Sequence, residues 1–342
     1  MSRRPREATA VIGHWDVYEL VHRVRHGEPD AFNTRIVPAL RQGGVKGVLF
    51  ATGGDSKSHA GGSDDFQRGS LETLDLTLGA IEGAGDAVSL VRTREDLAAL
   101  KPDQVGFVLV FEGGRPLEGS LAMLRQIFRL GVRCLLLTWN GRNELGAGVG
   151  EGAYPGGLSA FGRQVVQEMR RLGMLLDLSH LNEQGFWDAV ELYDGPVTAT
   201  HSNAQALHDH RRNITDAQIK AIGQTGGLVG VAFLPSFLGP GQPTVDTIVD
   251  HIAHIGDLIG IEHVGIGPDF SYGPVAEEHR RSRSYEGVTI NLEVAYPIPD
   301  PASLPLLDTA LRKRGFSDME VRGIMGDNLF RVLGQVLPSS NA

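Results

Sequence analysis

Short apolar segments, most of them rich in β-branched residues, recur along the whole chain, and each gives way to a glycine-rich or polar turn. A continuous apolar run of about four to eight residues is typical of a strand that is buried on both faces. Stretches with helical periodicity separate these runs. Eight strands are therefore predicted, at residues 8–14, 45–51, 105–112, 132–138, 174–180, 196–201, 227–233 and 263–269.

The segments between the strands carry helix-boundary signals. Ser120 can cap a helix over 120–131, and Gly131 can adopt the left-handed conformation that ends it. Capping boxes, in which Thr or Ser is followed three residues later by Gln or Glu, open 215–227 and a long closing helix within 316–337. Helices that alternate with buried strands predict a parallel sheet covered on both faces.

This alternation predicts an α/β fold, a (β/α)8 barrel of the TIM type, with a doubly wound open sheet as the alternative. A single barrel domain over 1–342 is expected, because such barrels exceed the usual domain length. Long loops are predicted at 52–69 and 271–305, as lids or substrate walls or else as mobile surface. The stretch GGDSKSHAGG in the first loop lacks the pattern of a phosphate-binding loop.

Charge and composition narrow the class of partner. With 41 acidic and 32 basic residues, the formal net charge of −9 disfavours nucleic acid and anionic membranes. The lone cysteine, Cys134, can form no disulfide within the chain, which favours a reducing compartment. Neither a secretory h-region nor an apolar run of ~20 residues is found, so a cytoplasmic protein without membrane contact is expected. A homodimer is compatible with these features.

Residues that bind metals or move protons stand at the carboxyl ends of five predicted strands. The first strand ends in His14-Trp15-Asp16, whose alternation sends the histidine and the aspartate to the same side. These ends meet at the barrel face on which active sites are built, so the side chains are expected to converge. The other four strand ends carry Glu112, His180, His201 and Asp269.

The chemistry of this set predicts a metal centre. Each residue alone could be structural, but three carboxylates in a confined site repel one another unless cations compensate them. Imidazole nitrogen and carboxylate oxygen suit Zn²⁺, with Mn²⁺, Co²⁺ and Fe²⁺ as alternatives. Six ligands exceed the number that one tetrahedral zinc uses, so two divalent metal ions that share a carboxylate are predicted.

Motifs in order along nearly the whole chain resemble those of the membrane dipeptidase (renal dipeptidase) family, peptidase family M19, in the amidohydrolase superfamily. They include GHWD, FEGG, RLGMLLDLSH, THSNAQAL, RRNITDAQI, IGPDF and GDNLFRVL. The resemblance implies a metal-dependent dipeptidase on a (β/α)8 barrel. It also implies tolerance of a D-residue at the C-terminal position of the dipeptide.

The resemblance implies a role for each strand-end residue. His14 and Asp16 would hold the first metal, and His180 and His201 the second. Glu112 would bridge the two metals, as a ligand and a catalytic residue. Asp269 would lie at the first metal and take the proton of the attacking water, and Arg212 matches the substrate-binding arginine of the family.

Two positions depart from the family pattern. Trp139 stands where characterised members carry a histidine that stabilises the oxyanion, and Phe237 where they carry a tyrosine near the substrate carboxylate. Either Trp139, through its indole N–H, or Asn140 could donate to the oxyanion instead. The departures leave two alternatives open: a hydrolase of N-acyl amino acids or another small amide or lactone, and a catalytically weak metal-binding homologue.

Overall fold

Eight parallel strands close into a barrel in the computed structural model, which describes residues 9–57, 59–152, 156–270 and 282–340. The predicted (β/α)8 architecture is thus confirmed. The strands are β1 Ala10–Asp16, β2 Val45–Gly54, β3 Val88–Leu90, β4 Val105–Glu112, β5 Val132–Leu136, β6 Leu175–Asp177, β7 Thr198–Ala199, β8 Leu228–Val231 and β9 Val264–Ile266. The short β3 is an extra strand that pairs with the first half of β4.

The barrel closes because each of its eight strands is paired on both sides. The order around it is β1, β2, β4, β5, β6, β7, β8 and β9, and the ring closes where Ile12 pairs with Ile266. All residues of β4 are buried, as expected for a strand that has side chains inside the barrel and helices outside it. Cys134 is buried in this wall.

Helices cover the outside of the barrel. Ser120 caps the helix that begins at Leu121 through the N–H of Met123, and the predicted capping boxes form at Thr215 and Ser317. No helix in the described part of the chain has both the length and the apolar character to cross a bilayer. The helices are α1 Tyr18–Arg25, α2 Val37–Gln42, α3 Phe66–Gly83, α4 Arg94–Ala98, α5 Leu121–Arg129, α6 Ala160–Leu172, α7 Glu183–Leu192, α8 Asp216–Gln224, α9 Pro235–Leu238, α10 Val245–Ile259, α11 Pro305–Arg314, α12 Asp318–Arg322 and α13 Asn328–Val336.

Some predicted boundaries differ from the observed ones. The closing helix is interrupted by a π-helical turn, Gly323–Asp327, which separates α12 from α13. The predicted strands that end at His180 and Asp269 are shorter, since β6 ends at Asp177 and β9 at Ile266. His180 and Asp269 have left-handed backbones, with φ of 69° and 54°, which turn the chain just beyond the strand ends. The chain around Asp269 stays beside β1, where Phe270 pairs with Trp15.

The two predicted long loops contain more regular structure than expected. The first is shorter than predicted, because β2 runs to Gly54 and α3 begins at Phe66. The second contains a β-hairpin made of β10 Ser282–Tyr285 and β11 Val288–Asn291, followed by a 3₁₀ turn at Pro301–Ser303. The part of the second loop at 271–281 lies outside the described residues.

Candidate metal centre

The six predicted strand-end residues come together at one end of the barrel. Glu112 is at the middle of the set: its Oε1 lies 3.4 Å from His14 Nε2, 3.1 Å from His180 Nε2 and 3.3 Å from His201 Nε2. On the other side, ligand atoms of His14, Asp16 and Asp269 lie within 4.8 Å of one another. One carboxylate therefore faces both halves of the predicted ligand set.

Hydrogen bonds behind His180 and His201 fix the tautomers of both rings. Asn140 Oδ1 can only accept, so at 2.8 Å it holds a proton on His180 Nδ1. The Thr200 hydroxyl donates to Asp177, so at 3.0 Å it accepts from His201 Nδ1. Each Nε2 is left with a lone pair directed into the centre, which is the arrangement of a metal-bound histidine.

The lone pairs of these two rings face each other. His180 Nε2 and His201 Nε2 are 3.0 Å apart, and the support behind each ring places the proton on the opposite nitrogen. Two buried lone pairs at this distance repel each other unless a cation lies beside them. The donor set therefore fits a divalent metal ion.

The electrostatics of the buried groups agree with this conclusion. Burial opposes the charged form of His14, but Glu112 and Asp16 outweigh it and raise its pKa to about 10. Burial, with the positive charges of Arg212 and His14, lowers the pKa of His180 and of His201. Burial also raises the pKa of Glu112, against the charge of His14. Protons and cations thus compete for the same buried donors.

Asp269 occupies a similar environment. Burial and the nearby charge of Asp16 raise its pKa to about 6, with His14 and Arg212 acting in the opposite direction. Its backbone N–H lies 3.3 Å from the carbonyl oxygen of His14, which fixes the chain at the end of the barrel. A carboxylate with this pKa can exchange a proton near neutral pH.

A seventh residue, which the sequence did not indicate, belongs to the same cluster. His59 is fully buried, and its Nε2 lies 2.8 Å from Asp16 Oδ1 and 3.2 Å from Glu112 Oε2. It comes from the loop after β2, which the sequence predicted as a lid or substrate wall or else as mobile surface. The available signal was a histidine in a loop at the barrel face that carries the other ligands.

Arg212 lies buried beside the centre. Its η2 nitrogen donates to the carbonyl oxygen of His201 at 3.1 Å, and its Nε has no partner among the described residues. The guanidinium carbon is 5.3 Å from the ring centre of Phe237, which is itself buried. Phe237 therefore packs behind the arginine.

Trp139 and Asn140 lie in the loop after β5, beside His180. The Trp139 ring is 6.2 Å from the His180 ring and 5.9 Å from the Tyr285 ring, centre to centre. Its backbone N–H donates to the buried carboxylate of Asp55 at 3.2 Å. Asn140 supports His180 through Oδ1, a contact that the sequence did not predict for it.

The hairpin of β10 and β11 contacts the loops after β4 and β5 through Glu286 and the loop after β7 through Thr289. Glu286 accepts hydrogen bonds from Arg115 Nη2 at 2.9 Å and from the backbone N–H of Gly141 at 2.7 Å. On the far side, the carbonyl oxygen of Thr289 is 3.3 Å from His210 Nε2. The hairpin therefore places Tyr285 against Trp139, next to the centre.

Comparison with known proteins points to one family. Residues 6–342 match the family model described as membrane dipeptidase (peptidase family M19). The dipeptidase verJ of Clonostachys rogersoniana is 30% identical over 320 residues, which is 90% of this chain and 78% of verJ.

Two solved structures share the fold over almost their whole length. The dipeptidase AC, a metallopeptidase of family M19, superposes with a TM-score of 0.80 at 25% identity and covers 97% of this chain and 100% of its own. A metallopeptidase from Rhodobacter sphaeroides, liganded with a phosphinate mimic of the dipeptide L-Ala-D-Ala, gives 0.79 at 25% identity and covers 96% and 99%.

Proposed function

The chain belongs to the membrane dipeptidase family, peptidase family M19, and from this premise we propose that it is a two-zinc dipeptidase that accepts a D-residue at the C-terminal position. The activity of the family, metal-dependent hydrolysis of dipeptides, is that of this chain. The observation that supports two metals is the position of Glu112 Oε1, within 3.4 Å of the Nε2 atoms of His14, His180 and His201. One carboxylate placed in this way suits a bridging ligand.

The ligands divide into two sets around Glu112. His14 and Asp16 would hold the first metal, near Asp269, and His180 and His201 the second. When bound, the metals lower the pKa of a water molecule toward ~7 and polarise the scissile carbonyl. Asn140 and Thr200 keep the second pair of imidazoles in the tautomer that this role requires.

Asp269 is the residue we assign to proton transfer. Its raised pKa, about 6, leaves it mostly ionised at neutral pH, so it can take a proton from the attacking water. The same carboxyl can then give that proton to the leaving amine.

Arg212 and Trp139 are assigned to substrate. Arg212 is buried, positively charged and planar, so it can bind the terminal carboxylate of a dipeptide through two parallel hydrogen bonds. Phe237 packs against its guanidinium and limits the orientations of the side chain. Trp139 has an indole N–H that can donate to the oxyanion from the side of His180.

The proposed acceptance of a C-terminal D-residue rests on the Rhodobacter sphaeroides relative, which binds a mimic of L-Ala-D-Ala. A cytoplasmic protein with one domain over 1–342 is proposed on the basis of the single buried Cys134 and the continuous barrel. A homodimer remains a prediction, which sedimentation of the purified protein would test.

The test is hydrolysis of matched L-Xaa-L-Xaa and L-Xaa-D-Xaa dipeptides, with N-acyl amino acids alongside, by zinc-loaded protein before and after chelation. We expect cleavage of dipeptides of both configurations that chelation abolishes and zinc restores. Cleavage confined to N-acyl amino acids would replace the dipeptidase with a different amidohydrolase. Absence of turnover in protein with full zinc content would support the catalytically weak homologue.

A further inference from the structure

His59 lies on the side of Glu112 that faces away from the other imidazoles. Glu112 Oε1 contacts His14, His180 and His201, whereas Oε2 lies 3.2 Å from His59 Nε2. The same nitrogen is 2.8 Å from Asp16 Oδ1. His59 therefore points a single ring nitrogen at two of the carboxylates assigned to the first metal.

The loop around His59 is fixed in this position. The backbone N–H of His59 donates to Ser56 Oγ at 3.1 Å, and the ring Nδ1 is 2.8 Å from the same oxygen. Ser56 Oγ is in turn 2.9 Å from the hydroxyl of Tyr18, whose ring packs on His59 at 4.7 Å. A fully buried, doubly held imidazole has lost the freedom of a surface loop side chain.

The anchor at the start of the loop is a buried carboxylate. Asp55 accepts hydrogen bonds from the backbone N–H of Arg115 at 2.7 Å and from Asn143 Nδ2 at 2.8 Å. The backbone N–H of Asp55 also donates to the carbonyl oxygen of Glu112 at 2.9 Å. The loop that carries His59 is thus tied directly to the strand end that carries Glu112.

The spacing around Asp16 and Glu112 is that of ligands on one metal. Bonds of about 2.0–2.1 Å in a tetrahedron place ligand atoms about 3.3 Å apart. His14 Nε2 lies 3.3 Å from Asp16 Oδ1 and 3.4 Å from Glu112 Oε1, and His59 Nε2 lies 3.2 Å from Glu112 Oε2 and, at hydrogen-bond distance, 2.8 Å from Asp16 Oδ1. His14 and His59 therefore approach the same oxygen of Asp16 and different oxygens of Glu112.

Ser56 permits the tautomer that a metal ligand needs. A hydroxyl can accept two hydrogen bonds and donate one. Ser56 Oγ can accept from both the backbone N–H and the Nδ1–H of His59 while it donates to Tyr18. His59 Nε2 then presents a lone pair to the carboxylates, an arrangement that a cation between them stabilises.

We propose that His59 is a further protein ligand of the first metal, alongside His14, Asp16 and Glu112. This inference rests on the proposed two-metal function. Each metal would then be bound by two imidazoles and share Glu112. Asp269 would not be needed to complete the first site, which leaves its carboxylate available for proton transfer.

The direct test is the protonation state of His59 Nε2 in the zinc-loaded full chain. Two-bond ¹H–¹⁵N correlation spectra of protein labelled with ¹⁵N-histidine distinguish metal-bound, protonated and unprotonated ring nitrogens. His59→Asn assigns the signals by their disappearance, and the decisive measurement is made on the unaltered protein. We expect a metal-bound Nε2 and a protonated Nδ1, both of which change when a chelator removes the zinc.

Zinc affinity provides a second readout. His59→Ala should weaken the first zinc by at least about 100-fold, the upper range for residues that only support a ligand, and leave the second zinc in place. The matched control is His254→Ala, because His254 pairs with Asp216 on the helical layer and should leave both zinc affinities unchanged.

The two proposals fail in different ways. If the protein cleaves dipeptides with two zinc ions bound but keeps a protonated His59 Nε2, the proposal that His59 is a metal ligand is overturned. The proposed function then stands. Unchanged zinc affinity in folded His59→Ala would lead to the same conclusion. A chain that neither retains zinc nor cleaves dipeptides would overturn the proposed function, and the ligand with it.

Discussion

Glu112 and His14 come from β4 and β1, two strands separated by β2, yet Glu112 Oε1 lies 3.4 Å from His14 Nε2. The contact is possible because parallel strands in a barrel all end at the same face, so that side chains across the ring can meet. His180 and His201 reach the same oxygen from strands on the other side of β4. The centre depends on this one carboxylate.

Replacement of Glu112 should therefore disturb both metals. In Glu112→Gln the side chain keeps its shape but loses the charge that balances the cations, so zinc affinity should fall by at least about 100-fold. Zinc content after dialysis, together with the rate of dipeptide cleavage, measures this. Glu191→Gln, at an exposed position on α7, is the control. Full zinc content in Glu112→Gln would contradict a bridging role.

Proton transfer by Asp269 predicts a pH dependence with a defined sign. The active form of a base is ionised, and the pKa of Asp269 in the metal-free chain is raised to about 6. Bound cations lower that pKa, so kcat/KM of the zinc-loaded enzyme should fall as the pH drops below about 6. Asp269→Asn should lower kcat by about 10²–10⁴-fold and abolish this acidic limb. Asp257→Asn, a control at an exposed position on α10, should retain the parent kcat and the acidic limb of the pH profile. An acidic limb that persists in Asp269→Asn would assign the titration to another group.

Arg212 should act on binding of the substrate carboxylate. Arg212→Met should raise KM about 10–100-fold, because a charge-assisted hydrogen bond contributes about 1.5–3 kcal/mol. A dipeptide amide, which lacks the carboxylate, separates this effect from misfolding. Its KM should already be high for the parent enzyme and should rise little further in Arg212→Met. An equal loss for acid and amide would indicate a structural role for Arg212, as would a large fall in Tm.

Glu286 should hold the hairpin of β10 and β11 in its position beside the metal centre. Glu286→Gln weakens the contact with Arg115 but keeps a carbonyl oxygen that can accept from the N–H of Gly141. The free energy that holds the hairpin in place should therefore fall only modestly, by about 0.5–1 kcal/mol. Hydrogen exchange at 284–291 should accelerate by several-fold, with an increase in KM and little change in zinc content. Glu293→Gln, exposed just beyond β11, should exchange like the parent. Unchanged exchange in both variants would show that other contacts hold the hairpin.

The sequence alone could predict the barrel and most of the centre, because both depend on local patterns. Burial on both faces leaves a strand such as β4 with a continuous apolar sequence, and the change to a polar residue marks where it ends. Glu112 and His201 follow from this rule without any knowledge of distant contacts. The same rule holds at His180 and Asp269, because their left-handed backbones turn the chain only after the apolar run has ended.

Tertiary structure alone decided what the loops contribute. His59 has no apolar run before it, and its position depends on the bonds of Asp55 to Arg115 and Asn143, which lie 60 and 88 residues away along the chain. The hairpin has an alternating pattern too short to stand out, and Glu286 is held beside the centre by hydrogen bonds from Arg115 and Gly141. A strand's sequence records whether it is buried, whereas a loop residue's place is set by partners that the local sequence does not specify.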